Sequence, residues 1–396
     1  MLKLTRLPKS VSNFLQVAPV CFKYRHGLIL GWVLVLHLIY SGKADLKSLS
    51  RIAPNPIGYE RLRRLLAAGY WCTKILIGWF AKAALEAFPP PQDRVCYLIG
   101  DSTLKGKRSK KNPTVQKTRL SQHHAYVMGI KIVLLMVAWD VYRIPVDFEI
   151  VLPKTHPDYQ KENDLFLEMF WRFSPPFWAI YTVVVADCAF ASKKNLNAIK
   201  RRKGFFFVMA LARTWKFEDG SHLKDLVNHI CRRYFHKIWL SRPNSTRRRT
   251  YFVYAKSACL HVVGQVTVVL SKLRHNDGPK NTKILVTNLP NVDARQVVAI
   301  YQRRWSVELL IKELKGVTGL GQHQVTKDVG RVKRSIAISF MAYLMLLKLR
   351  ARDIQPGRPW SAFALKRNFA WEVLQHQAEI SATRMARKWL HERKAA

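Results

Sequence analysis

Residues 181–190 read YTVVVADCAF, and residues 95–103 read VCYLIGDST. Each opens with a run of β-branched and aromatic residues too short for a globular helix, the pattern of a buried strand. Each run is followed at once by an aspartate, Asp187 in the first and Asp101 in the second. Working outward, residues 126–139, 146–152 and 205–211 (FFFVMAL) read as further strands, while 162–173 and 193–203 carry helical spacing. The order strand, strand, strand, helix, strand, helix, strand predicts an α/β protein whose mixed sheet has helices on its faces.

The chain around this segment has 396 residues, enough for two or three domains and a sizeable core. With 49% apolar and 11% aromatic residues it is neither a disordered tail nor a low-complexity scaffold. Its 67 Lys and Arg outnumber 25 Asp and Glu, a formal net charge of +42. A globular chain this basic repels itself unless a polyanion is near, so nucleic acid is the leading partner and an anionic membrane surface the rival. The six cysteines are scattered without a CxxC pair, which fits free thiols in a reducing cytoplasm. Residues 27–40 (GLILGWVLVLHLIY) are too few to span a bilayer and are expected to form a buried helix, so the expectation is a soluble protein that makes no use of a membrane.

Five segments follow from the changes in pattern. Residues 1–92 are expected to be a helical N-terminal domain, closed by Pro89-Pro90-Pro91, which cannot continue a helix. Residues 93–211 hold the first part of the sheet. Residues 212–282 read as a basic insertion, mostly β, with hairpin strands at 251–255 and 261–270. No acidic residue occurs in 226–276, where ten Arg or Lys do. Residues 283–350 return to the sheet with a strand at 283–287. A long helix follows, capped by Asp293 and running to about 315, and then an apolar helix at 336–349. Residues 351–396 form a basic helical tail.

Within YQRRWSVELLIKELK (301–315), about 100° per residue places Tyr301, Arg304, Glu308 and Lys315 in a strip about 60° wide. Ile300, Val307, Leu310 and Leu314 form the adjoining apolar face, so the polar strip borders the core and faces a cleft. Two strand-end carboxylates can share divalent ions, which prefer hard oxygen ligands. The bland alternatives are turn aspartates and a solvated Arg304–Glu308 pair on a surface helix.

The set Asp101, Asp187 and Tyr301-x2-Arg304-x3-Glu308-x6-Lys315, preceded by Val286-Thr287-Asn288-Leu289-Pro290, resembles bacterial insertion-sequence transposases of the DDE type. More narrowly, it resembles the subgroup with a Tyr-Arg-Glu-Lys signature. The resemblance covers about residues 90–350 and implies a ribonuclease H-like sheet interrupted by the β-rich insertion. The separation of 121 positions from Asp187 to Glu308 leaves room for it. It further implies that Asp101, Asp187 and Glu308 are the catalytic acids and bind two Mg²⁺ ions, with Mn²⁺ as a possible substitute. One ion would activate water or a DNA 3′-hydroxyl and the other would stabilise the leaving oxygen. Tyr301, Arg304 and Lys315 would touch phosphates of the terminal nucleotides. The implied partners are double-stranded DNA, both transposon ends and target, and a second copy of the chain in a synaptic complex. The N-terminal helices would bind the terminal inverted repeats. The rival from another class is a transposase-derived DNA-binding protein that no longer catalyses.

Two basic stretches add to the expected DNA surface. Residues 102–139 contain eight Lys or Arg and no acid, with Lys105, Lys107 and Arg108 just after Asp101, and read as a flexible hairpin beside the cleft. In the insertion, Arg247 and Arg248 lie among Trp215, Trp239 and Tyr251, where aromatic rings could stack on an unpaired base. His222, His229 and His236 recur every seven residues, about 10.5 Å along a helix, too far apart to share one zinc. No Walker loop, Rossmann glycine set or serine-hydrolase elbow is present.

Overall fold

Five helices lead into the sheet: α1 (Lys9–Gln16), α2 (Tyr24–Ile39), α3 (Leu46–Ile52), α4 (Tyr59–Ala68) and α5 (Thr73–Leu85). The computed structural model describes residues 5–395 apart from 19–23, 43, 55–56, 69–70, 108, 110, 121–124, 242–247 and 323–327. The polar stretch after α2 contains the start of α3, where the Asp45 carboxylate accepts from the Ser48 amide. From Leu30 to Leu38, α2 is buried on almost every side, as befits a helix apolar all round. No helix among the described residues is long and apolar enough to cross a membrane.

The sheet strands are β1 (Val95–Gly106), β2 (Gln116–Leu120), β3 (Ala125–Trp139) and β4 (Tyr142–Val151), followed by α6 (Glu162–Arg172), β5 (Tyr181–Ala186), α7 (Lys193–Arg201) and β6 (Phe205–Ala210). Next come α8 (Leu223–His229), β7 (His236–Ser241), β8 (Arg248–Leu260), β9 (Gly264–Lys272) and β10 (Lys283–Thr287). The chain closes with α9 (Ala294–Gln302), α10 (Trp305–Val317), α11 (Val329–Leu349) and α12 (Ala362–Ala395).

Among the described residues, the ten strands form one mixed sheet. An antiparallel meander in the order β4-β3-β1 is extended by β5 and β6, both parallel to β1, and helices cover it. That arrangement is ribonuclease H-like. β10 returns to pair antiparallel with β6, and the insertion strands β9, β8 and β7 continue the same sheet outward as a meander. The hairpin expected from strands at 251–255 and 261–270 forms, but its turn takes 261–263 and β8 is much longer than expected.

Two expectations change here. β1 does not stop at Gly100, because residues 101–106 keep pairing with residues 129–134 of β3. The basic stretch after Asp101 is therefore largely sheet rather than a flexible hairpin, with Lys105 on β1 and Lys117 on β2. The single long helix from Asp293 is also two helices. The Asp293 capping box forms as expected, but around Arg303 and Arg304 the backbone bonds tighten to the i→i+3 pattern.

The N-terminal helices share their core with the end of the chain. α2, α4 and α5 pack on α11, which buries fourteen of its residues. α5 and α11 also lie against β4, so the helices hold the edge of the sheet that carries the site.

Candidate functional site

Asp101 sits in the middle of β1, with its backbone paired to Leu134. The preceding residue has to be glycine: a Cβ at Gly100 would lie 2.4 Å from the Phe166 ring of α6. Gly100 thus lets α6 close on one face of the sheet, while Asp101, next in the pleat, points to the other. Asp187 follows β5 directly, and its Oδ1 accepts from the Ala189 amide at 2.9 Å, an Asx turn that fixes the carboxylate at the strand end. Glu308 lies in the first turn of α10, where the helix dipole favours a negative charge.

Arg304, at the break between α9 and α10, bridges the first and the last of these acids. Its Nη1 donates to Asp101 Oδ2 at 3.1 Å and its Nη2 to Glu308 Oε1 at 2.6 Å. The tight turn at 303–304 sets the guanidinium between a strand residue and a helix residue 207 positions apart. Lys315, two turns beyond Glu308, donates to the Thr103 hydroxyl at 2.8 Å and the Leu104 carbonyl at 3.2 Å, fastening α10 to β1 beside Asp101. Tyr301 is buried under the Lys283 ammonium, 4.9 Å from its ring centroid.

The electrostatics place these side chains in one neighbourhood. Burial pushes the Asp101 carboxyl up to about 6; the Ser102 amide and Arg304 oppose that, and the charges of Asp187 and Glu308 add to it. Burial pushes the Tyr301 phenol up to about 12, with Arg304 opposing and Asp187 and Asp101 contributing. Lys283, exposed at the residue level but with its ammonium partly desolvated, is lowered by that desolvation and by Arg304, against the pull of Asp187 and Glu308. Lys315 is lowered by burial and by neighbouring Lys105.

Six expected positions therefore come together: Asp101, Asp187, Tyr301, Arg304, Glu308 and Lys315, with Lys105 at the rim. Lys107 follows β1, its amide bonded to the Met128 carbonyl. Arg248 stands apart, at the start of β8 near the far edge of the sheet. Arg108 and Arg247 lie outside the described residues. Sequence reading missed Lys283, a single lysine at the start of a strand, and Thr103, whose hydroxyl anchors Lys315.

Three carboxylates supply hard oxygen donors of the kind a divalent cation such as Mg²⁺ takes. The raised Asp101 carboxyl is short of positive charge, which such a cation would provide. Among the described residues, however, no three acidic, His or Cys side chains are disposed as a ready metal cage, and the Arg304 guanidinium bridges two of the acids. The donor chemistry fits; the observed arrangement is closed on an arginine.

Sheet and site together define a ribonuclease H-like protein with an acidic cleft ringed by cations. The family model described as "Transposase DDE domain" matches residues 98–345, well over half of the chain, and the chain belongs to that family of transposases. No curated protein matches it. Among solved structures it is similar to one described as "Cryo-EM structure of piggyBac transposase synaptic complex with hairpin DNA (SNHP)", at a TM-score of 0.47 and 11% identity, covering 94% of this chain and 77% of that one.

Proposed function

We propose that this chain is a metal-dependent DNA transposase of the insertion-sequence type with the Tyr-Arg-Glu-Lys signature, which binds terminal inverted repeats, cuts the transposon ends and joins them to target DNA. The observation that carries the reading is Arg304 bridging Asp101 of β1 and Glu308 of α10, with the charge of Asp187, at the end of β5, felt at Asp101. In this reading the three acids hold two Mg²⁺ ions, or Mn²⁺ in their place. Bound there, the ions would supply charge for an in-line phosphoryl displacement and lower the pKa of an attacking hydroxyl.

The protein's own part is positional and electrostatic. β1 and β5 hold two carboxylates on rigid strands, and the α10 dipole supports the third. Asp101, Asp187 and Glu308 would hold the cations, and Arg304, freed from the acids, would turn its fork to the phosphate. Lys315 keeps α10 against β1 and offers a remaining N–H toward the backbone of the DNA. Tyr301 turns its hydroxyl to the same strand. Lys105 and Lys107 extend the basic track, and Arg108, Arg247 and Arg248 are further proposed DNA contacts, consistent with the net charge of +42. Residues 1–92 form the end-binding segment, and two copies of the chain pair the two ends.

The test is a supercoiled plasmid carrying the DNA that flanks the coding region, incubated with protein and Mg²⁺. The wild-type chain nicks it and EDTA stops the reaction, whereas Glu308→Ala binds the same DNA within about threefold yet does not nick. Cleavage by Glu308→Ala at the wild-type rate would remove Glu308 from the mechanism.

A further inference from the structure

The cations of the cleft differ in what occupies them. Arg304 is engaged with two carboxylates, and Lys315 with a hydroxyl and a carbonyl. Lys283, the first residue of β10, is exposed, and among the described residues no carboxylate lies within ion-pair distance of its ammonium. Instead its Nζ rests on the face of the Tyr301 ring, 4.9 Å from the centroid. Such a seat holds a cation in place without neutralising it.

The position of that ammonium matters. It feels the charges of Arg304, Asp187 and Glu308, so it stands at the flank of the acid cluster. β10 is held on both sides, by β6 and β9, and Lys283 pairs in register with Ser271, so the Cα that carries the side chain is fixed. An accessible lysine beside two acids would ordinarily collapse onto one of them. Here the nearby guanidinium answers Glu308, the Ala189 amide engages Asp187, and the buried phenol ring takes the ammonium.

We propose that Lys283 is a phosphate-positioning residue: its ammonium, seated on Tyr301, takes a non-bridging oxygen of the DNA phosphodiester that lies against Asp187 and Glu308. The assignment rests on the proposed transposase reading. It adds to the family signature a cation that comes from the last strand of the sheet. Arg304 then approaches the phosphate from the α9–α10 turn and Lys283 from the start of β10, so the two hold its orientation. Lysine suits this role as a compact point charge that tolerates small shifts of the phosphate.

Two measurements on Lys283→Ala and Lys283→Arg test this. The first is the salt dependence of affinity for a 30-base-pair duplex, followed by fluorescence anisotropy in KCl. The second is Mg²⁺-dependent nicking of the flanking-DNA plasmid at saturating protein. Because it neutralises one phosphate fewer, Lys283→Ala lowers the slope of log Kd against log salt by about 0.9. Its nicking rate at saturation falls about tenfold or more, as when one charged donor is withdrawn from a reacting group. Lys283→Arg restores most of both, which a purely structural role would not produce. A slope unchanged in Lys283→Ala, or Lys283→Arg as impaired as Lys283→Ala, overturns the proposal. If the wild-type chain nicks nothing, the enzymatic reading fails by itself and the salt slope still decides whether Lys283 meets phosphate.

Discussion

Asp101 shows what the site costs the fold. Its carboxyl has an ordinary value of 3.8 and stands at about 6 in the folded chain, chiefly through burial. The folded state therefore holds this proton more tightly than the unfolded state does. Stability contributed by the protonated form is lost as pH rises from about 4 to about 6, and does not return above that. A gap of about two pH units corresponds to at most about 3 kcal/mol. Asp101→Asn, which stays neutral, should be more stable than wild type by about 1–3 kcal/mol at pH 8, with the gain gone below about pH 4. Urea melts at the two pH values check this, and an Asn variant less stable at pH 8 contradicts it. Stability surrendered at a functional group is a common trade. Lys283 belongs to this scale as well, and it shows a limit of sequence reading: a lone lysine at the head of a strand has no pattern to single it out until Tyr301 is seen beneath it.

At the scale of elements, the helix that carries Glu308 is pinned by a buried ion pair on its far side. Glu313 of α10 takes Arg143 of β4 at 2.7 Å and the Tyr343 hydroxyl of α11 at 2.7 Å, and Arg143 stacks on Trp360. Glu313→Ala leaves Arg143 charged and unpaired in the interior, with an expected loss of about 3–5 kcal/mol. The double replacement Arg143→Met with Glu313→Leu should recover most of it. Chemical denaturation of the three variants measures this, and a double variant no better than the single one argues against the pair as the source. Much at this scale was legible: residues 181–186 and 283–287 form strands where their β-branched runs begin and end, and Asp293 caps α9. The break at Arg303–Arg304 was not legible, because neither glycine nor proline marks it and a straight helical wheel already aligns Tyr301, Arg304 and Glu308. The length of β1 was hidden for a different reason. Beyond Gly100 its residues alternate polar and apolar weakly, and only the pairing with β3 keeps them extended. β2 escaped notice because QKTRL has no apolar face of its own.

For the whole molecule, one apolar core runs from α1 through the sheet to α12. The boundary drawn at Pro89-Pro90-Pro91 marks a change of secondary structure, while the packing of α2, α4 and α5 on α11 crosses it. The chain should therefore unfold in a single cooperative transition. A version starting at residue 89, stripped of the partners of α11, should aggregate in size-exclusion chromatography; a monomeric, cooperatively melting fragment would contradict that. Composition could reveal the charge of +42 but not where it acts, because residues from β1, β5, β10 and α10 meet only once the sheet has formed.

The most direct test of the site is a titration with Mn²⁺, read by electron paramagnetic resonance in the presence of a DNA duplex, for the wild-type chain and for Asp101→Asn, Asp187→Asn and Glu308→Gln. If the three carboxylates act as one ion-binding unit, the wild-type chain depletes the free Mn²⁺ signal and each single variant weakens that uptake at least about tenfold, because each removes a hard ligand from the same ion set. Wild-type uptake in any one of the three would show that the acids do not work together.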